Sequence, residues 1–323
     1  MHPSLRFDGE PAAQATGSVG RSFGTFGELL QGVLPGDDHH FMVTLPIAAW
    51  STARFHYLPH RESVAVQPPR KLKSARVAAL ALAMAGRPGG GHLDVHSDLP
   101  EGKGMASSSA DLVATVRAVM QAIDEPVTSG VIESLLRHIE PSDGVMYDEI
   151  VEFDHRNVRL REPLGVLPAM TVVGYDQGGQ VDTIKFNTTV PIPDERERAE
   201  YARLLATARD AIRDVDLEAV GKIATRSTEL NALRTARPAL PTLQMLKRVC
   251  RDIDGLGVVC AHSGTMLGIL IHRDQQTADK VDAALVACGR LPGSVTVHRT
   301  LGPGEAWSQD QPPAHAAIHQ AEE

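Results

Sequence analysis

Aromatic side chains are scarce in this chain, at 4% of its 323 residues. Hydrophobic residues still reach 42%, so the core must be filled by aliphatic groups rather than rings. Cysteine is scarce too. Cys250, Cys260 and Cys288 are odd in number and stand in apolar company. They read as reduced core residues, which argues against a disulfide scaffold and for a cytoplasmic setting. No Cys-x-x-Cys pair suggests a zinc site. No apolar run approaches membrane length, and residues 1–20 lack the apolar core of a signal peptide. Neither a membrane nor a nucleic acid is an expected partner. The net charge is −8, and the densest basic run, Arg70-Lys-Leu-Lys73, reads as a solvated helix start.

Common nucleotide and hydrolase signatures are missing as well. A Walker A loop needs a Gly five residues before its Gly-Lys, yet Gly102-Lys103 has Ser97 there and Gly104 after it. No Gly-x-Gly-x-x-Gly opens a helix, which argues against a Rossmann dinucleotide site. No Gly-x-Ser-x-Gly elbow is present.

What the chain does have is Pro100-Glu-Gly-Lys-Gly-Met-Ala-Ser-Ser-Ser-Ala-Asp111. Before it, Gly91 to Leu99 alternates through Leu93 and Val95 and predicts a strand. After it, Leu112, Val113, Val116, Val119, Met120 and Ile123 recur at helical spacing. A glycine-rich turn between strand and helix leaves bare backbone N–H groups at the helix start, the arrangement that holds phosphate. A Ser N-cap is the plainer reading. Three serines in succession, with Gly102, Lys103 and Gly104, exceed what capping needs.

The segment resembles the phosphate loop of the GHMP kinases, whose pattern is Pro-x-x-x-Gly-Leu-Gly-Ser-Ser-Ala-Ala. Here Pro100 is followed by Gly104-Met-Ala-Ser-Ser-Ser-Ala110, with Ala106 in place of a Gly. Two more segments fall in the family's order. Gly24-Thr-Phe-Gly-Glu-Leu-Leu-Gln-Gly32 corresponds to the first motif, without its usual Lys, and Ala261-His-Ser-Gly-Thr-Met-Leu-Gly268 to the third. Together with Pro141-Ser-Asp-Gly144 and Phe153-Asp-His155, these variants look like the L-threonine kinase branch. The product of that branch feeds the aminopropanol arm of cobalamin synthesis.

The resemblance implies an α+β, two-domain GHMP kinase fold, with a ribosomal S5 domain 2-like N-terminal lobe and a ferredoxin-like C-terminal lobe. The expected divisions are a flexible N-terminus at 1–19, an ATP-binding domain at 20–163, a C-terminal domain at 164–306 and a disordered tail at 307–323. It implies ATP and Mg²⁺ as cofactors and a small amino acid as substrate; a homodimer is left open. Pro100, Gly102, Lys103, Gly104, Met105, Ala106, Ser107, Ser108 and Ser109 would bind ATP. Ser108 and Glu140 would hold the metal, with Glu133 as the alternative to Glu140. Lys103 would neutralise phosphate charge, and Asp143 would act as base or electrostatic partner of the substrate hydroxyl. Glu28, Asp143, Ser263, Gly264 and Thr265 would face the substrate. Thr225, Ser227 and Asn231 form a partial polar stripe, either on the substrate side or solvated. His262, Asp154 and His155 read as structural. L-Threonine is the first acceptor. Serine, homoserine or a natural-product precursor are alternatives, as is a catalytically silent nucleotide-binding sensor.

The remaining letters predict strands over 39–57, 151–160, 170–175, 181–186, 257–261, 266–272 and 294–300. They predict helices over 72–85, 131–139, 201–213, 217–234 and 276–287.

Overall fold

The computed structural model describes residues 17–36, 39–179, 191–235, 238–305 and 307. Among the described residues, strands and helices mix without strict alternation, the α+β class expected. β1 (Ser18–Leu34) and β2 (His39–Leu58) form a long antiparallel pair. β4 (Gly90–Ser97) adds antiparallel to β2, and β3 (Val64–Gln67) adds parallel to β4. A hairpin of β5 (Ile150–Asp154) and β6 (Arg159–Gly165) branches from β2. Beyond β1 run β8 (Gly257–Cys260), β9 (Met266–His272), β7 (Met170–Asp176) and β10 (Ser294–Arg299), all antiparallel. The two halves of this 10-stranded sheet meet where Glu28 of β1 faces Cys260 of β8. An isolated bridge between Ile47 and Thr300 adds a second tie.

α1 (Leu72–Met84) packs Val77, Ala78 and Ala81 into the first core, against α2 (Ser107–Ala122). The predicted stripe of α2 is buried, and so are Ala114 and Ala118 between its members. Those alanines let the helix lie hard on β1: a Cβ at Gly20 would stand 2.1 Å from the Ala114 carbonyl oxygen. α3 (Ser129–Leu136) starts at Thr128, whose side chain accepts from the Val131 N–H. α4 (Glu195–Arg213) opens on a capping box of Asp194 and Glu197. α5 (Leu217–Thr235) and α6 (Leu240–Asp252) follow, then α7 (Thr277–Cys288) between β9 and β10. Leu243 and Leu246 of α6 bury with Leu267, Ile269 and Ile271 of β9. Each such side chain contributes roughly 1.5–3 kcal/mol on full burial. The three cysteines are free and buried, as expected.

Some expectations change. The strand expected over 151–160 is two strands with a tight turn between them. Asp154 accepts from the backbone and side chain of Asn157 there, and Val158 takes a positive φ of 48°. Periodicity does not predict β1, β3 or α6. The strand expected over 181–186 lies outside the described residues, as do residues 1–16 and all of the tail except Trp307. Trp307 is buried, its ring edge-on to Phe23 at 5.6 Å, and the division expected after residue 163 falls within β6. No helix among the described residues is long and apolar enough to cross a membrane.

Candidate active site

The loop before α2 is shaped by positive φ values at Gly102 (72°), Gly104 (79°) and Ala106 (56°). Ala106 is the N-cap of α2 and provides no side-chain cap. A cap serine is therefore not what the run supplies. The hydroxyls of the serines turn elsewhere, and the first backbone N–H groups of α2 have no side-chain cap. Ser108 donates to Glu140, and Ser109 donates to Asp143 Oδ2 at 3.1 Å while accepting from the Asp143 N–H at 3.0 Å.

The three motifs meet at this loop. The Thr25 N–H donates to Met105 O and the Gly27 N–H to Gly104 O, both at 3.2 Å. From the other side, the Thr265 N–H donates to Lys103 O at 3.2 Å. Contact is too close for side chains: a Cβ at Gly104 would lie 2.4 Å from the Ala261 Cβ, and one at Gly264 would lie 2.0 Å from Lys103 O. β1 is free to reach the loop because its pairing with β2 is broken by register shifts between Phe23 and Leu30.

A cavity of about 280 Å³ opens in front of the helix start. Gly102, Gly104 and the serines wall one part of it; Glu28, Gln31, Met42, Glu140, Asp143, His155 and Ser263 line the rest. A second cavity, of about 530 Å³, lies along the start of α1 from Arg70 to Ser74 and shares Lys73, Gly102, Ser107 and Ser108 with the first. Lys73 thus borders both, and its ammonium pairs with Glu140.

Asp143 is half-buried and lines the cavity. Burial, and then the negative charge of Glu28, push its carboxyl up to about 7, against the Ser109 hydrogen bond. Glu28 accepts from the His262 backbone N–H at 3.1 Å and meets its Nδ1 at 2.8 Å. Burial opposes a charged His262, but Cys260 and Glu28 outweigh it and hold the imidazole above its ordinary value. The other ring nitrogen lies 3.0 Å from Ser227 Oγ. His262 is structural, as expected.

Of the expected site residues, Pro100, Lys103, Gly264, Thr265 and Glu133 are not part of the cavity lining. Lys103, expected to neutralise phosphate, is instead paired with Asp176 at 2.6 Å and donates to Gly179 O. Thr265 donates to the same Asp176 at 2.6 Å, so Asp176 ties the phosphate-loop lysine to the third motif. Glu133 is spent on Tyr147 and the Leu160 N–H, which leaves Glu140 as the carboxylate beside Ser108. The polar stripe of α5 is buried against β8 rather than solvated: Thr225 accepts from the Val258 N–H, and Ser227 and Asn231 are buried. Asp154 is structural, but His155 lines the cavity. Gln31 was given no role of its own in the sequence reading, and its only signal was its place within the first motif. Lys73, read as part of a solvated helix start, borders both cavities instead.

The donor set fits a nucleotide with Mg²⁺. The uncapped helix start suits phosphate. Ser108 and Glu140 offer hard oxygen donors in contact with one another, and Mg²⁺ takes one or two such ligands beside phosphate and water.

Comparison with known proteins agrees. Residues 73–146 match the family described as GHMP kinases N terminal domain. The L-threonine kinase of Citrobacter freundii is 26% identical over 205 residues, 58% of this chain and 65% of that enzyme, just under two thirds of its length. That of Salmonella typhimurium is 24% identical over 263 residues, 80% of this chain and 84% of the enzyme. The crystal structure of homoserine kinase from Cytophaga hutchinsonii superposes with a TM-score of 0.69 at 13% identity, covering 93% of this chain and 98% of that one. Mevalonate kinase of Methanococcus jannaschii gives 0.67 at 15%, covering 89% and 99%. The chain thus carries a segment similar to the GHMP kinase N-terminal domain. Along more of its length it resembles the L-threonine kinases.

Proposed function

We propose that the chain transfers the γ-phosphoryl group of ATP to the side-chain hydroxyl of a small amino acid, with L-threonine the first candidate and O-phospho-L-threonine and ADP the products. The observation that carries this reading is the convergence on one cavity of an uncapped helix start, the Ser108–Glu140 pair and the half-buried Asp143. The two curated L-threonine kinases support the choice of acceptor. A cytoplasmic location and a place in cobalamin synthesis go with that acceptor. So does a division into an ATP-binding lobe at 20–163 and a second lobe at 164–306.

The backbone N–H groups of Ser107 to Ser109 hold phosphate oxygens at the helix start. Lys73 adds positive charge where the two cavities meet, and the nucleoside occupies the larger one. Mg²⁺, when bound by Ser108 and Glu140, neutralises phosphate charge. Asp143 faces the acceptor hydroxyl. The alcohol oxygen bonds to the γ-phosphorus as the bond to the β–γ bridging oxygen breaks, and Asp143 takes the hydroxyl proton late. An aspartate balanced near pH 7 suits that duty.

The test is ADP release by the purified chain with ATP, Mg²⁺ and a panel of L-threonine, L-serine and L-homoserine. Turnover with L-threonine is expected, and Asp143→Ala should lower it by roughly 10²–10⁴-fold. Release with another member of the panel alone would reassign the acceptor. Nucleotide binding without turnover on any of them would make the chain a sensor.

A further inference from the structure

Two lining residues of the first cavity take no part in the chemistry above. Gln31 Oε1 and His155 Nδ1 are both buried and have no hydrogen-bond partner among the described residues. His155 as a whole is only 5% exposed. Buried polar atoms are nearly always paired, so two unpaired ones bordering the same cavity mark a place where a ligand's donor groups would be held. Both sit on rigid ground. Gln31 pairs with Met42 across β1 and β2, and Met42 pairs with Phe153 of β5, two residues before His155. The Gln31 N–H donates to Ser227 Oγ at 3.3 Å, and the His155 carbonyl accepts from the Ser142 N–H at 3.0 Å. The His155 ring also packs edge-on against His40 at 5.9 Å.

The charge of the cavity decides what the ligand group is. Its carboxylates are Glu28, Asp143 and Glu140, and its one lysine is Lys73, held by Glu140. Glu28 is met by His262 and Glu140 by Lys73, so the carboxylate of Asp143 is the charge that an anion beside Gln31 and His155 would face. A cationic donor would be attracted by it, and an ammonium brings three donors and no acceptor. We propose that Gln31 Oε1 and His155 Nδ1 form the subsite for the α-ammonium group of the acceptor, selecting a hydroxy-amino acid over the same molecule without its amine. The inference rests on the hydroxy-amino-acid reading of this cavity. A bound ammonium would also offset the charge that Glu28 presses on Asp143, favouring its ionised form when substrate is in place.

The intact chain is assayed with ATP and three acceptors: L-threonine, 1-amino-2-propanol, which lacks the carboxylate, and 3-hydroxybutyrate, which lacks the ammonium. Calorimetric binding accompanies the kinetics. 3-Hydroxybutyrate should bind at least about tenfold more weakly than L-threonine, the scale of one hydrogen bond to a charged group. Gln31→Leu and His155→Phe should each raise KM and Kd for L-threonine about tenfold. Neither should change ATP affinity or the already weak binding of 3-hydroxybutyrate. His155→Asn, whose amide oxygen can replace Nδ1, should recover most of the loss. Equal binding of L-threonine and 3-hydroxybutyrate by the unaltered chain would overturn the subsite without any variant. So would folded variants that bind L-threonine normally, or that lose both acceptors alike. Turnover of L-threonine with an unmoved KM in the variants defeats the subsite alone. Failure of the unaltered chain on every hydroxy-amino acid defeats the functional reading and the subsite with it.

Discussion

Ala106 holds a left-handed backbone conformation at the very start of α2, where the related phosphate-loop pattern has Gly. An alanine there costs about 1–2 kcal/mol, partly offset because glycine loses more freedom on folding. Ala106→Gly should therefore stabilise the protein by about 0.5–1 kcal/mol, measured by chemical denaturation. Asp143 gives a prediction in pH. Its carboxyl titrates near 7 in the folded chain against an ordinary 3.8. Between those values the native state keeps a proton that the unfolded chain has released, so this group makes stability fall as pH rises. Asp143→Asn should flatten that part of the stability profile. Turnover runs the other way: kcat/KM should climb through the same range as the carboxylate ionises, and a profile flat across it would remove Asp143 from the proton's path. At this scale the sequence marked Asp143, Ser108 and Glu140. It read His155 as structural and gave Gln31 no role of its own, because an unpaired acceptor is visible only once its surroundings are assembled.

α2 was legible because its apolar stripe repeats at helical spacing and nothing in the run breaks it. β1 was not. Four glycines, Gly20, Gly24, Gly27 and Gly32, and several register shifts hide a 17-residue strand behind a motif. Those glycines answer to neighbours distant in sequence. At Gly20 the nearest atoms to an added Cβ are backbone, Ala114 O at 2.1 Å and Ala118 N at 2.5 Å, and neither can step aside. Gly20→Leu should cost about 2–3 kcal/mol or more by overpacking. A melting temperature equal to that of the unaltered chain would show that α2 and β1 are not in such close contact. The 151–160 segment misled for a related reason. Its apolar letters suit extended structure, but Asp154 folds the chain back through Asn157.

Across the whole molecule, the two halves of the sheet are joined at Glu28 and Cys260, and Glu28 also holds the buried His262. Both side chains are nearly inaccessible, at 6% and 3% exposure. Removing one partner of such a pair costs roughly 3–5 kcal/mol, because the other charge stays buried alone. Glu28→Ala should lower the calorimetric melting temperature and weaken nucleotide binding together, since the same contact ties the first motif to the third and both lie against the phosphate loop. Unaltered stability would mean that the halves are held elsewhere. The sequence by itself determined the elements with clean periodicity, the loop that leaves a helix start bare, and the order of three motifs along the chain. These are local properties, set by spacing and by small residues at a turn. Only the tertiary structure decided which charges the site owns. It tied Lys103 to Asp176, brought Lys73 to the cavities, spent Glu133 on Tyr147, and left Gln31 and His155 unpaired at the wall. A side chain's partner is whatever the fold brings within hydrogen-bonding distance, and contacts between residues far apart in the chain leave no periodic trace in its letters.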